Sequence, residues 1–278
     1  MEWLTENKVP IGQWIATFVD LLNEHASEFF DLVADSLEWL VEGSTDLLLA
    51  VPAIVLIALL AAGALWLHRR IGLTLFTALS LLLIINLGLW EETIQTLVLV
   101  LYATLFCMLI GVPLGIFAAH HPRLNAALRP VLDLMQTIPT FVYLIPTLIL
   151  FGLGVVPGLI STVVFALAAP IRLTSLGISE VPRHLLEAGE AFGCTPLQRL
   201  WRIELPHAMP TILAGLTQCI MLSLSMVVIA ALVGADGLGK PVVRALNTVN
   251  IEQGFEAGLA IVIVAILLDR LCRQRQSA

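Results

Sequence analysis

Seven long apolar runs limit what this chain can fold into. They are Leu47–Leu67, Leu73–Trp90, Ile94–Ala119, Val131–Gly152, Val156–Ile178, Ala208–Val233 and Gly254–Leu268. A helix needs about 20 apolar residues to cross the hydrocarbon, and its backbone polar groups must be satisfied within the segment. The sequence therefore predicts an all-α integral membrane protein of about seven transmembrane helices. Composition agrees, with 59% of residues hydrophobic and only 13% charged, against about 25% charged in soluble domains. A soluble fold is excluded. Within the third run, Gly111, Pro113 and Gly115 predict a kink near its end.

Charge placement orients the bundle. Arg69 and Arg70 follow the first run, Arg123 and Arg129 lie between the third and fourth, and Arg199 and Arg202 between the fifth and sixth. Arg270, Arg273 and Arg275 follow the seventh. If all seven segments cross, these groups share one side, which puts the N-terminus outside and the C-terminus in the cytosol. Lys240 and Arg244 dissent mildly on the outer side. Residues 1–46 carry ten acidic residues and one lysine of a chain whose net charge is −7. That polarity excludes a basic nucleic-acid surface. No positive n-region marks a cleavable leader, so the start of the chain reads as retained.

Within this acidic segment, Asp20, Glu24, Glu28, Asp31, Asp35, Glu38 and Glu42 recur every three or four residues, on one helical face. Phe18, Leu22, Phe29, Leu32, Val33 and Leu40 fill much of the rest. The pattern predicts a long amphipathic helix at the outer interface or packed on the first span. The alternative is a solvated acidic arm. The domain layout is then residues 1–46 as this segment, 47–90 as two peripheral spans, 91–272 as the core, and 273–278 as a tail.

The polar stretch Glu187–Pro206 punctuates the core. Pro182 suits a first helical turn, and HLLEAGEAF reads as a short helix that Gly193 ends in a left-handed conformation. Thr195 and Pro196 form an N-cap and first-turn pair opening a second helix, LQRLWRI, which Pro206 and Pro210 are expected to stop. The stretch resembles the EAA loop of ATP-binding-cassette importer permeases: E-A-A, three residues, G, nine residues, then I-x-L-P. Glu187, Ala188, Gly193, Ile203, Leu205 and Pro206 match at the right spacing, and Gly189 replaces the second alanine. Asp133–Gly154 and Leu222–Leu246 are further similar to the glycine betaine and proline betaine permeases, a likeness running roughly from Glu92 to Arg270.

The resemblance implies a type I ABC importer-like permease core with residues 182–206 as its cytosolic coupling loop, in a bacterial cytoplasmic membrane. It implies a second copy of the chain, a cytosolic ATPase dimer that uses ATP and Mg, and an outer substrate-binding protein. Glycine betaine, proline betaine, choline and carnitine are the implied solute class. An amino acid or other small solute is the alternative, and a secondary transporter is a third reading.

The residues themselves bear on those alternatives. GADGLGKP, Gly234–Pro241, fits a phosphate-binding GxxxxGK pattern but has Pro241 where Ser or Thr would hold magnesium, and it follows an apolar helix instead of a strand. A Gly-rich turn is expected, with no nucleotide or metal bound by this chain and no catalytic residue. No carboxylate lies near the middle of any span, as a proton relay would require. Asp133 and Arg172 sit near span ends. Cys107, Cys194, Cys219 and Cys272 show no paired spacing, and His120, His121, His184 and His207 read as interfacial or hydrogen-bonded. Gln136, Thr137, Thr140, Tyr143, Gln218, Ser223 and Ser225 are the candidate path residues. Ser and Thr in such helices more often bond a neighbouring carbonyl.

Overall fold

The computed structural model describes residues 10–272. The expected tail, 273–278, lies outside them, as do Arg273 and Arg275. The chain runs α1 (Ile11–Leu49), α2 (Ala53–His68), α3 (Ile71–Asn86), α4 (Trp90–His120) and α5 (Pro122–Thr137). A 3-10 turn (Thr140–Tyr143) leads to α6 (Leu144–Phe151), α7 (Val155–Ala166), α8 (Ala168–Ser179), α9 (Arg183–Ala191) and α10 (Pro196–Arg199). A π turn (Leu200–Glu204) precedes α11 (Leu205–Ala230), and α12 (Gly239–Thr248) and α13 (Ile251–Cys272) complete the chain.

Among the described residues, three segments are long and apolar enough to cross a membrane unaided: Trp90–His120, Val155–Ser179 and Pro196–Val233. Two bent pairs, Gly12–Leu49 with Ala53–His68 and Pro122–Thr137 with Thr140–Phe151, raise the number to five. Of the about seven expected spans, several are thus shorter or bent instead of single long helices, and the reasons are local. The run Leu47–Leu67 is cut at Val51–Pro52, where the chain turns by 98°. The run Val131–Gly152 is cut at Ile138–Pro139, where it turns by 104°. Ile138 is extended, with ψ 130°, as steric conflict with the following proline ring demands. Helices α2 and α3 have 16 residues each, about 24 Å of rise against a hydrocarbon core of about 30 Å. In α13 the apolar stretch is bracketed by Glu252 and Glu256 before it and Asp269 and Arg270 after it.

The centre is built from α4, α8 and α11, with α7 beside them. Their close approach depends on small residues, because hydrocarbon provides no hydrophobic drive between helices. Gly111 and Gly115 of α4 lie against α8: a β-carbon on Gly111 would fall 2.8 Å from Pro170 Cγ, and one on Gly115 would fall 2.7 Å from the Ile171 carbonyl oxygen. These glycines thus serve packing, and α4 remains helical through Pro113. A second core joins α3, α4, α11 and α13 through Leu81, Ile84, Leu99, Leu224 and Val264.

Helix α1 confirms the amphipathic pattern. Its acidic residues are exposed, while Val19, Val41 and Thr45 are buried. It packs on the core: Ser44 hydrogen-bonds the Tyr102 hydroxyl at 2.6 Å, and Phe30 meets Phe151 edge-on at 5.3 Å. Trp14, Phe18, Phe29, Leu32 and Trp39 remain exposed along an adjacent stripe, the arrangement an interfacial helix needs.

Candidate functional site

The Glu187–Pro206 stretch folds around two caps legible in its sequence. At the end of α9, Gly193 takes φ 74°. Its N–H donates to the Glu190 carbonyl at 2.9 Å, and the Cys194 N–H donates to the Gly189 carbonyl at 3.0 Å. This pair of bonds is the Schellman arrangement, which satisfies carbonyls a helix end would otherwise leave open. Two residues on, Thr195 Oγ1 accepts from the Gln198 N–H at 3.3 Å, and Gln198 Oε1 accepts from the Thr195 N–H at 2.9 Å. That reciprocal capping box starts α10.

The expected stop at Pro206 and Pro210 is not observed. Pro196–Val233 is one 38-residue segment. The π turn shifts the hydrogen-bond register before α11, and Pro206 occupies its first turn, where a missing N–H costs little. Pro210 is carried inside the helix on its exposed side. The loop's second half is therefore continuous with the membrane helix of α11, and a push on α10 is a push on that helix.

The matched motif residues come together in part. Gly189 is buried, and a β-carbon there would fall 2.5 Å from Ile203 Cδ1. The two ends of the motif thus meet in one contact, with Ile203 and Leu205 half-buried behind it. The Ile203 tip is flexible, so alanine at 189 is accommodated by a small shift. Glu187, Ala188, Gly193 and Pro206 are exposed. Sequence reasoning missed Phe192 and Leu197, which are 89% and 65% exposed. Both project outward from a structured loop, and for Phe192 an apolar residue at a helix C-terminus was the available signal.

Arg199 ties the loop internally, donating from Nη1 to Glu190 Oε1 at 2.7 Å and from Nε to Glu204 Oε1 at 2.9 Å. Glu204 is buried, with a side chain 4% exposed, and its Oε2 meets His120 Nε2 at 2.8 Å. The loop therefore lies at the His120 end of α4. The Gly-rich turn lies at the other end: Thr96 Oγ1 accepts from the Leu238 N–H at 2.8 Å. Thr96 and His120 stand 24 residues apart on one 31-residue helix, a separation of about 36 Å. Lys240 pairs with Asp236 beside this turn.

The candidate path residues do not form one surface. Thr137 donates to the Asp133 carbonyl, and the Tyr143 hydroxyl donates to the Met135 carbonyl at 2.8 Å, so both satisfy backbone at the broken α5–α6 span. Gln136 and Thr140 are half-buried there. On α11, Gln218 and Ser225 share the exposed side, and Ser225 donates to the Met221 carbonyl. Ser223 is fully buried on another side, without a hydrogen-bond partner among the described residues. Asp133 pairs with Arg172 at 2.6 Å, joining α5 to α8. All four cysteines are free.

Comparison with known proteins places this geometry. Residues 111–271 match the model of the binding-protein-dependent transport system inner membrane component family. The chain is 48% identical over 264 residues to the glycine betaine transport system permease protein OpuAB of Bacillus subtilis, covering 95% of this chain and 93% of that one. It is 45% identical to the glycine betaine/carnitine transport permease protein GbuB of Listeria monocytogenes, covering 95% and 94%. Against the glycine betaine/proline betaine permease protein ProW of Escherichia coli, identity is 44%, over 95% of this chain and 74% of that one. Among solved structures, an inward-facing conformation of the MetNI methionine ABC transporter shares the fold, with a TM-score of 0.55 at 23% identity over 62% of this chain and 87% of that one. The chain is a multi-pass membrane protein and belongs to the binding-protein-dependent transport system inner membrane component family.

Proposed function

We propose that this chain is the membrane-spanning subunit of an ATP-driven importer for a betaine-class compatible solute. The observation that carries the coupling role is the doubly capped loop whose second half runs unbroken into α11. Two copies form the path, and a cytosolic ATPase dimer, using ATP and Mg, grips residues 182–206 of each. An outer binding protein delivers the solute. Closure of the ATPase dimer displaces α9 and α10, and the bundle switches between two packings. The betaine class rests on the relatives' names, which specify glycine betaine, carnitine and proline betaine. Glu187, Ala188, Gly189, Gly193, Ile203, Leu205 and Pro206 shape the grip, and Phe192 and Leu197 extend it. The chain itself performs no covalent chemistry and binds no nucleotide.

Reconstitution tests the reading. With its ATPase and binding protein in proteoliposomes, the permease should accumulate radiolabelled glycine betaine only when ATP is supplied. Uptake by the isolated chain under a proton or sodium gradient would sink it. Lys240→Ala should leave ATP binding by the complex unchanged, because Lys240 sits at the far end of α4 from the loop. For orientation, Cys194 and Cys272 should resist an impermeant thiol reagent in intact cells and react in inverted vesicles.

Gly193→Val tests the grip. Space around Gly193 is open, so the cost is backbone strain alone, about 1–2 kcal/mol for a left-handed β-branched residue. Membrane insertion should stay normal while co-purification of the ATPase and solute-stimulated hydrolysis fall. Wild-type transport by this variant would remove the loop from the mechanism.

A further inference from the structure

The importer mechanism above uses one connection between loop and membrane, the continuous backbone into α11. The structure contains a second. Glu190 of α9, Arg199 of α10, Glu204 of the π turn and His120 at the end of α4 form an unbroken chain of polar contacts, with links of 2.7, 2.9 and 2.8 Å. Glu204 is its buried node, and each carboxylate oxygen has one partner. The His120 ring lies between two acceptors: Nδ1 meets the Ile116 carbonyl at 2.9 Å, and Nε2 meets Glu204. Both ring nitrogens are thus engaged, and the link joins partners 84 residues apart in sequence.

From this geometry we infer that Glu204 and His120 are positioning residues that fasten the coupling loop to α4, so that loop displacement moves α4 together with α11. This rests on the importer reading. Helix α4 is suited to carry the motion. It is an unbroken 31-residue helix, it packs without slack on α8 through Gly111 and Gly115, and its far end holds the Gly-rich turn through Thr96 and Leu238. A pull at His120 is thus delivered to the opposite face of the membrane. A loop attached only through α11 would leave α4 to follow by side-chain packing. Changing either partner removes this contact, while Glu204 keeps its bond to Arg199 when His120 is the one changed.

The test uses the complete complex of permease, ATPase and binding protein in proteoliposomes, comparing wild type with Glu204→Gln, His120→Leu, the double variant and His120→Lys. Because Glu204 is buried behind the exposed face that the ATPase grips, the two single variants should assemble and keep basal ATP hydrolysis, while binding-protein-stimulated hydrolysis and uptake fall about tenfold, within the usual span of coupling between sites. The double variant should be no worse than either single one, since both remove the same link. His120→Lys, which places a donor within reach of Glu204, should recover most of the uptake. Wild-type uptake by both single variants would overturn the inference, as would additive losses. So would assembly and basal hydrolysis falling in step with uptake, which would make Glu204 a folding residue of the loop. A wild-type complex with no ATP-driven uptake would overturn the importer reading and the inference with it.

Discussion

Gly115→Val is expected to abolish the folded permease, while Gly63→Val leaves it intact. The two substitutions add the same atoms to two apolar helices, and only the surroundings differ. At Gly115 even a single β-carbon would fall 2.6 Å from Thr174 Cβ and 2.7 Å from the Ile171 carbonyl oxygen. Neither atom is the free end of a flexible side chain, so α4 and α8 must separate. Overpacking of this kind costs about 3 kcal/mol or more, a large share of the roughly 5–15 kcal/mol that holds a domain together. Separation would also loosen the neighbouring contacts of α11 with the same stretch of α8, where Gly215 lies against Leu173 and Pro170. At Gly63, by contrast, nothing lies within 4 Å of the added carbon, and valine is slightly the better helix residue there. Thermal unfolding and size-exclusion profiles in detergent read the difference directly. Equal stability of the two variants would show that α4 and α8 do not cross at these glycines.

How much of this was legible in the sequence depends on the range of each interaction. Gly193, Thr195 and Gln198 act within a few residues, and their capping chemistry could be read from spacing alone. The motif's nine-residue gap likewise fixed which residues belonged to the loop. Helix breaks were written as plainly, in Pro52 and Pro139, but a hydropathy run averages over a single proline and passes through it. Pro206 and Pro210 erred in the other direction: they look like a stop, and only the π turn before them lets the helix continue. Ser223 was also separable from Gln218 and Ser225, since at 100° per residue it stands about 140° around the helix from Gln218. The Glu204–His120 link was beyond reach. Nothing local distinguishes a glutamate in a polar loop from any other until the fold brings a histidine from 84 residues away to within 2.8 Å.

The Gly-rich turn at the other face provides the second large effect. Thr96→Val should loosen residues 234–241 and reduce uptake, and Thr96→Ser should restore both. Valine has the shape of threonine without the hydroxyl, so packing is preserved while the hydroxyl's two hydrogen bonds, from the Leu238 N–H and to the Glu92 carbonyl, are removed. The first satisfies the Leu238 N–H, on a residue with no exposed surface. Leaving a buried donor unsatisfied costs about 1–3 kcal/mol, which corresponds to exchange of the Leu238 amide faster by roughly five- to 150-fold, at about 1.4 kcal/mol per factor of ten. The turn has little freedom to find another partner. Gly237 stands at φ 116° with Thr96 Oγ1 2.6 Å from where its β-carbon would be, so the backbone passes Thr96 too closely for any other residue or for an inserted water. The same hydroxyl donates to the Glu92 carbonyl at 2.8 Å, which holds it in place and fixes the end of α4 to which the turn is tied. Hydrogen exchange followed by mass spectrometry over residues 234–241, run beside the uptake assay, separates the two consequences. Unchanged exchange in Thr96→Val would mean that the turn is held by its helix contacts alone, and that this end of α4 has no grip on it.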